Sequence, residues 1–196
     1  GKQRGDGVAA ALAGASHVLV TISQGAGGDP VLALHGPDIA AVPDLAWLGY
    51  LSTVGVYGDH GGAWIDEETP PDPRIGRAAA RIAAEDGWHR LGAARGVPVG
   101  IFRLAGIYGP GRNPFVKLAE GSAHRIVKPG QVFNRIHVDD IAATLRAAIA
   151  RPAARTYNVS DDEPAPPQDV VTAAAEMMGV APPPEVAFAE ADLSPM

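Results

Sequence analysis

Cysteine is absent from this 196-residue chain, which excludes disulfides, thiolate nucleophiles and Cys-ligated zinc and suits a reducing compartment. No apolar run approaches the roughly 18 residues that a membrane-spanning helix needs. No charged, apolar and small-residue leader opens the chain. Both absences lead to the expectation of a soluble, cytoplasmic protein with no membrane partner. Positive charge is not in excess either. The net charge of −6 argues against a nucleic-acid-binding surface. The six histidines form neither H-x-x-x-H nor H-E-x-x-H, so no metal site of familiar spacing is expected. A G-x-S-x-G elbow is lacking too, which sets aside an α/β-hydrolase.

What is present is an ordinary globular composition, 46% apolar and 19% charged, read here as one domain over 1–196. The opening GKQRGDGVAAALAGASHVLVTIS has no initiator Met and passes almost at once into an Ala-rich helical run and a strand. It reads as the middle of a domain. Four short apolar runs follow one another: SHVLVTI (16–22), WLGYLST (47–53), PVGIFRL (98–104) and RTYNVSD (155–161). Between and after them lie helical stretches at 74–95, 138–151 and 166–180. Pro73 and Gly96 bracket the first, and Asp139 or Asp140 is placed to cap the second. Strands alternating with helices predict a parallel α/β sheet. In such sheets ligands sit beyond the carboxyl ends of the strands, here after Ile22, Thr53 and Leu104.

The glycine-rich loop of a dinucleotide site is missing. SQGAGGDP offers Gly25, Gly27 and Gly28, but Pro30 stands where the third glycine of G-x-G-x-x-G belongs. The segment 30–35 reads as too short for a helix, stopped by Gly36-Pro37. The loop is therefore expected to lie on the surface rather than to cradle a phosphate.

Three later segments carry a resemblance. LSTVGVYG is similar to the S-S/T-x-x-V-Y-G signature, FRLAGIYGPGRN to the R-x-x-x-Y-G-P loop, and FNRIHVDDIA to the I-H-V-D-D segment of extended short-chain dehydrogenases/reductases, with TYNVSDDE resembling their Y-N-V strand. The family is the NAD-dependent epimerase/dehydratase group, and the match runs from about Val18 to Gly179. The resemblance implies a Rossmann-type doubly wound parallel sheet whose first strands and glycine loop are absent from this chain. The chain would then be the C-terminal two-thirds of an NAD(P)-binding domain with a small substrate-side portion. It implies NAD or NADP as cofactor, a small or sugar-nucleotide substrate, and a homodimer by analogy.

In that family a Ser/Thr hydroxyl polarises the substrate, a Tyr is the acid/base, and a Lys four residues later lowers the Tyr pKa. Thr53 falls on the hydroxyl position and Tyr57 on the aromatic of V-Y-G. With Glu85 aligned to the Glu that follows the Lys, Arg81 takes the Lys position and Arg77 the Tyr position. R-A-A-A-R thus stands where Y-x-x-x-K belongs, and no other Y-x-x-x-K exists. The resemblance is therefore to an atypical subgroup lacking that motif. Arginine stays charged and cannot shuttle the proton. Thr53, Arg81 and Arg77 are the catalytic candidates. Thr21, Ile22, Ser23, Thr53, Arg81, Leu104, Ala105, Gly106 and Ile107 are the cofactor-binding candidates. Alternatives stay open: a solvated helix face with an Arg81–Glu85 ion pair, Arg103 as a buried structural partner, Tyr57 as packing, and Trp64 as a loop anchor or pocket border. At the level of function, an enzyme is weighed against a protein that binds a dinucleotide without catalysis.

Overall fold

The computed structural model describes residues 7–25, 27–74 and 76–191. In chain order the elements are α1 (Val8–Leu12), β1 (His17–Val20), α2 (Pro30–Ala40), β2 (Trp47–Thr53), α3 (Gly76–Arg95), β3 (Val99–Leu104) and β4 (Gly106–Tyr108). They continue as α4 (Pro114–Ala119), β5 (Arg125–Val127), β6 (Arg135–His137), α5 (Val138–Ala150), β7 (Arg155–Val159), α6 (Pro167–Met178) and β8 (Glu185–Ala187). The chain forms two compact units. One takes in the described residues through 58, together with 65–105 and 140–159; the other takes in 59–64, 106–139 and the described residues from 160.

The first unit is built on a four-stranded sheet in the order β1-β2-β3-β7. Every pairing is parallel, as the four apolar runs predict. Strand β3 is buried along its whole length, the mark of a strand covered on both faces. One face of the sheet packs through Val20, Leu48, Tyr50, Val99 and Ile101 against Ile39 of α2 and Ala84 and Trp88 of α3. Ala84 and Trp88 lie four residues apart on one side of the helix. Gly92, one turn further, allows the close approach: a Cβ there would stand 2.2 Å from the Val99 side chain.

Helix α2 corrects the expectation of a short segment stopped at Gly36-Pro37. Asp29 caps it, accepting from the amides of Val31 at 2.8 Å and Leu32 at 3.0 Å. Pro30 occupies the first turn, where a missing N–H costs nothing. Pro37 removes one interior hydrogen bond, and the helix continues to Ala40 because Ile39 and, just beyond the helix, Val42 are buried in the core. Burial there offsets the loss of about 3 kcal/mol that an interior proline carries.

In the second unit β4 pairs in parallel with β6, with Ile107 opposite Ile136, and β5 pairs in parallel with β8. Asn113 caps α4 by accepting from the Val116 amide at 3.1 Å. Helix α5 starts at Val138 rather than at an Asp cap. The amide of Asp139 donates to Nδ1 of His137 at 3.2 Å, so the histidine ring takes the capping position. Burial lowers the pKa of Arg135, opposed by Asp161 and Tyr108, and its guanidinium donates to the carbonyls of Phe133 and Ala165. Among the described residues no helix is long and apolar enough to cross a membrane.

Candidate functional site

The carboxyl ends of β1, β2 and β3 share one edge of the first unit's sheet. Val20 is in register with Tyr50, so β2 runs three residues past the end of β1 to Thr53. Thr53 is in register with Leu104, and Leu104 with Val159. The extended segment of Thr21, Ile22 and Ser23 is exposed beside this edge, while Leu104 and Ala105 are buried in it. Gly106 and Ile107 open β4 in the second unit.

Thr53 is half-buried at the end of β2, where a single 3-10 turn (Val54–Val56) begins. Its hydroxyl oxygen accepts from the Gly55 amide at 3.1 Å. A hydroxyl that accepts there keeps its own proton to donate elsewhere.

Arg81 does not lie on a solvated face. Ala78, Glu85, Trp88 and Gly92 are all buried on the stripe of α3 that also carries it, and its Nη1 donates to the Tyr50 hydroxyl at 3.1 Å and to the Leu51 carbonyl at 3.3 Å. Its Nε is buried without a hydrogen-bond partner. The Arg81–Glu85 ion pair that the sequence left as an alternative is not the one Glu85 makes. Glu85 turns instead to Arg103, whose Nη2 donates to Glu85 Oε2 at 2.8 Å. Arg77 lies in α3, and its side chain is outside the described residues.

Arg103 is thus the buried, paired arginine that the sequence left as an alternative. It is 6% exposed and Glu85 4%. Burial works against its charge, but the bonds from Glu85 and Tyr57 outweigh it and hold the guanidinium pKa above its ordinary value. Its Nη1 donates to the Tyr57 hydroxyl at 2.7 Å, and that hydroxyl donates to Asn158 Oδ1 at 2.8 Å. Ser52 donates to Glu85 from the other side. Tyr57 is 1% exposed, so its phenol is committed inside the fold. Tyr50 is fully buried, and burial, opposed by Arg81, pushes its phenol pKa up. Neither phenol is available as an acid/base at the strand edge. Trp64 anchors nothing: it is 84% exposed.

The described residues of 23–30 are engaged with one another and with α2 rather than left open to a phosphate. The Asp29 carboxylate occupies the first amides of α2, and Gly25 and Gly28 bond to each other. Asp29 also accepts from the Trp88 indole at 2.9 Å, a long-range use for which the sequence gives no signal. A cleft of about 590 Å³ lies beside β7, lined by Asp66, Glu67, Glu68 and residues 154–157. Asp66 is engaged by its own loop and Glu67 by the Asn158 amide.

A parallel sheet with flanking helices, and with a polar group at a strand end, defines a Rossmann-like α/β protein. Residues 44–160 match the NAD dependent epimerase/dehydratase family, more than half of the chain, and the chain belongs to that family. It is 54% identical to a solved, functionally unknown conserved protein from Silicibacter pomeroyi, with a TM-score of 0.87, covering 94% of this chain and 65% of that one. Protein YeeZ of Escherichia coli (strain K12) is 31% identical over 115 residues, 56% of this chain and 38% of YeeZ. The UDP-glucuronic acid 4-epimerase of Bacillus cereus, solved in complex with NAD, shares the fold at a TM-score of 0.73 and 18% identity, covering 91% of this chain and 65% of that one. The chain spans less than two thirds of the length of each of these proteins.

Proposed function

We propose that this protein binds NAD or NADP and acts as an epimerase, dehydratase or reductase on a small or sugar-nucleotide substrate. The observation that carries the reading is Thr53. Its hydroxyl accepts from Gly55 and keeps a proton to donate at the carboxyl edge of the sheet, where ligands of open α/β sheets bind. The residues present fit the nicotinamide end of the cofactor. The unpartnered Nε of Arg81 is a donor not yet used, and the exposed segment Thr21, Ile22 and Ser23 borders the same edge. The nicotinamide supplies hydride transfer when bound. Thr53 would polarise a substrate oxygen. Arg81 would hold positive charge beside the ring, and Arg77 would add a second cation favouring an anionic substrate group. Leu104, Ala105, Gly106 and Ile107 would pack against the cofactor. This assignment treats the chain as the larger, C-terminal part of one dinucleotide-binding domain that works in the cytoplasm, as a homodimer.

A second reading, dinucleotide binding or sensing without catalysis, is favoured by one observation. Tyr50 and Tyr57, the tyrosines nearest Thr53 in sequence, are both buried and engaged by arginines. The test is a titration of the full-length gene product with NAD(H) and NADP(H), read by protein fluorescence and melting temperature, with Thr53→Val beside it. Saturable binding supports the family role. Turnover of a screened substrate that Thr53→Val abolishes selects the enzyme. Binding that Thr53→Val leaves within about twofold, with no turnover, selects the sensor. Absence of binding by the folded protein overturns both.

A further inference from the structure

Ser52, Arg103 and Asn158 occupy one register row across β2, β3 and β7, one residue before the row of Thr53, Leu104 and Val159. Ser52 and Arg103 are buried and Asn158 is half-buried, so this is a polar row, mostly inside the fold, directly beneath the row that ends in Thr53. Each of its members is satisfied by a group from outside the sheet. Glu85 of α3 takes the Ser52 hydroxyl and the Arg103 guanidinium, and Tyr57, just after the 3-10 turn, stands between Arg103 and Asn158. The row therefore ties three things together: the strand end that carries Thr53, the turn that Thr53 caps, and the helix that carries Arg81 one turn before Glu85.

From this geometry, and resting on the function proposed above, we infer that Glu85 and Arg103 are positioning residues of the site, setting where Thr53 and Arg81 stand relative to each other. A buried ion pair is a weak source of stability, because desolvation consumes most of its Coulomb gain. What it supplies is direction. The planar fork of Arg103 admits few orientations of Glu85, and Glu85 fixes the rotation and height of α3. Arg81 then meets the Leu51 carbonyl, two residues before Thr53. An apolar patch of the same volume would hold the helix to the sheet and leave it free to rotate or slide by fractions of a turn.

The test is a cycle between this network and Arg81. The network is removed by Ser52→Ala/Glu85→Leu/Arg103→Met, which leaves neither charge buried alone. In the wild-type full-length protein, Arg81→Ala should weaken the binding of whichever of NAD(H) and NADP(H) binds by about tenfold, the effect of losing a charged hydrogen bond. In the network variant the same change should cost less than about threefold, because Arg81 no longer stands at its station. A folded network variant in which Arg81→Ala still costs tenfold overturns the inference and leaves the pair purely structural. Should that variant fail to fold, Glu85→Gln carries the cycle, and an undiminished Arg81 effect overturns the inference equally. If the wild type binds neither dinucleotide, the functional reading fails separately. Positioning is then read from the NMR shifts of Arg81 Nε and the Thr53 methyl in the unliganded protein, which should move in the folded variant used; unmoved shifts overturn it.

Discussion

Two tyrosines of the first unit each meet an arginine, and the two pairs are built differently. Tyr57 and Arg103 are 2.7 Å apart, and the guanidinium lies over the ring with its carbon 4.8 Å from the centroid. There the arginine also has a buried carboxylate, Glu85. Tyr50 and Arg81 are 3.1 Å apart with the guanidinium carbon 5.8 Å from the ring centroid. Among the described residues Arg81 makes no ion pair. The first arginine has its charge neutralised within the fold and contributes geometry. The second donates to Tyr50 and Leu51 through Nη1 and has a buried Nε with no hydrogen-bond partner. The two arginines are the same type and both touch a phenol, yet only Arg103 is held by a buried carboxylate.

Four changes should set the two tyrosine–arginine pairs apart. Arg103→Met alone should lower stability by about 3–5 kcal/mol, because Glu85 is left charged and unpaired in the core; chemical denaturation measures it. Asp29→Ala should cost about 2–3 kcal/mol, from the lost helix cap and the stranded Trp88 indole. Trp88 stacks on Tyr50 at 6.1 Å, so this loss would show that the Tyr50 side of the core rests on its neighbours rather than on Arg81. Arg81→Met should cost about 1–2 kcal/mol in the same assay, because it strands the buried Tyr50 hydroxyl but no charge. A loss matching that of Arg103→Met would erase the distinction. The smallest effect is on pH dependence. Burial raises the Tyr50 pKa in the folded state, so the folded protein holds that proton more tightly than the unfolded chain. Its contribution is complete below the unfolded phenol value of about 10 and is lost as pH rises through the higher folded value. Melting temperature should therefore decline above about pH 10, and Tyr50→Phe should flatten that decline.

Much of the fold was legible in the sequence, and the reasons are physical. The four runs at 16–22, 47–53, 98–104 and 155–161 became β1, β2, β3 and β7 within a few residues, because β-branched apolar clusters bounded by turn residues have little else to form. Helices α3, α5 and α6 emerged close to their expected bounds for the same reason. Helix α2 was hidden because Gly36-Pro37 is a strong local stop, overruled only by the burial of Ile39. The strands β4, β5, β6 and β8 have three residues each, too few to show a period. That Thr53 ends β2 was legible because strand ends are local features. The destination of Glu85 was not. A carboxylate four residues from one arginine reads as its partner, yet it bonds another that lies 18 residues further along the chain, which only the sheet brings near. The Tyr50–Arg81 contact spans 31 residues and was invisible for the same reason.

The tryptophans divide the molecule in a way that an optical experiment can use. Trp47 and Trp88 are 1% exposed, and Trp64 is 84% exposed. Their emission should therefore separate into a blue, shielded pair and a single red component open to acrylamide. A ligand settling at the strand edge would alter the blue band by way of Trp88 and Tyr50, whereas an event in the 59–68 loop would register only in the quenchable red band. One spectrum, recorded with and without quencher, would tell which part of the chain had been disturbed.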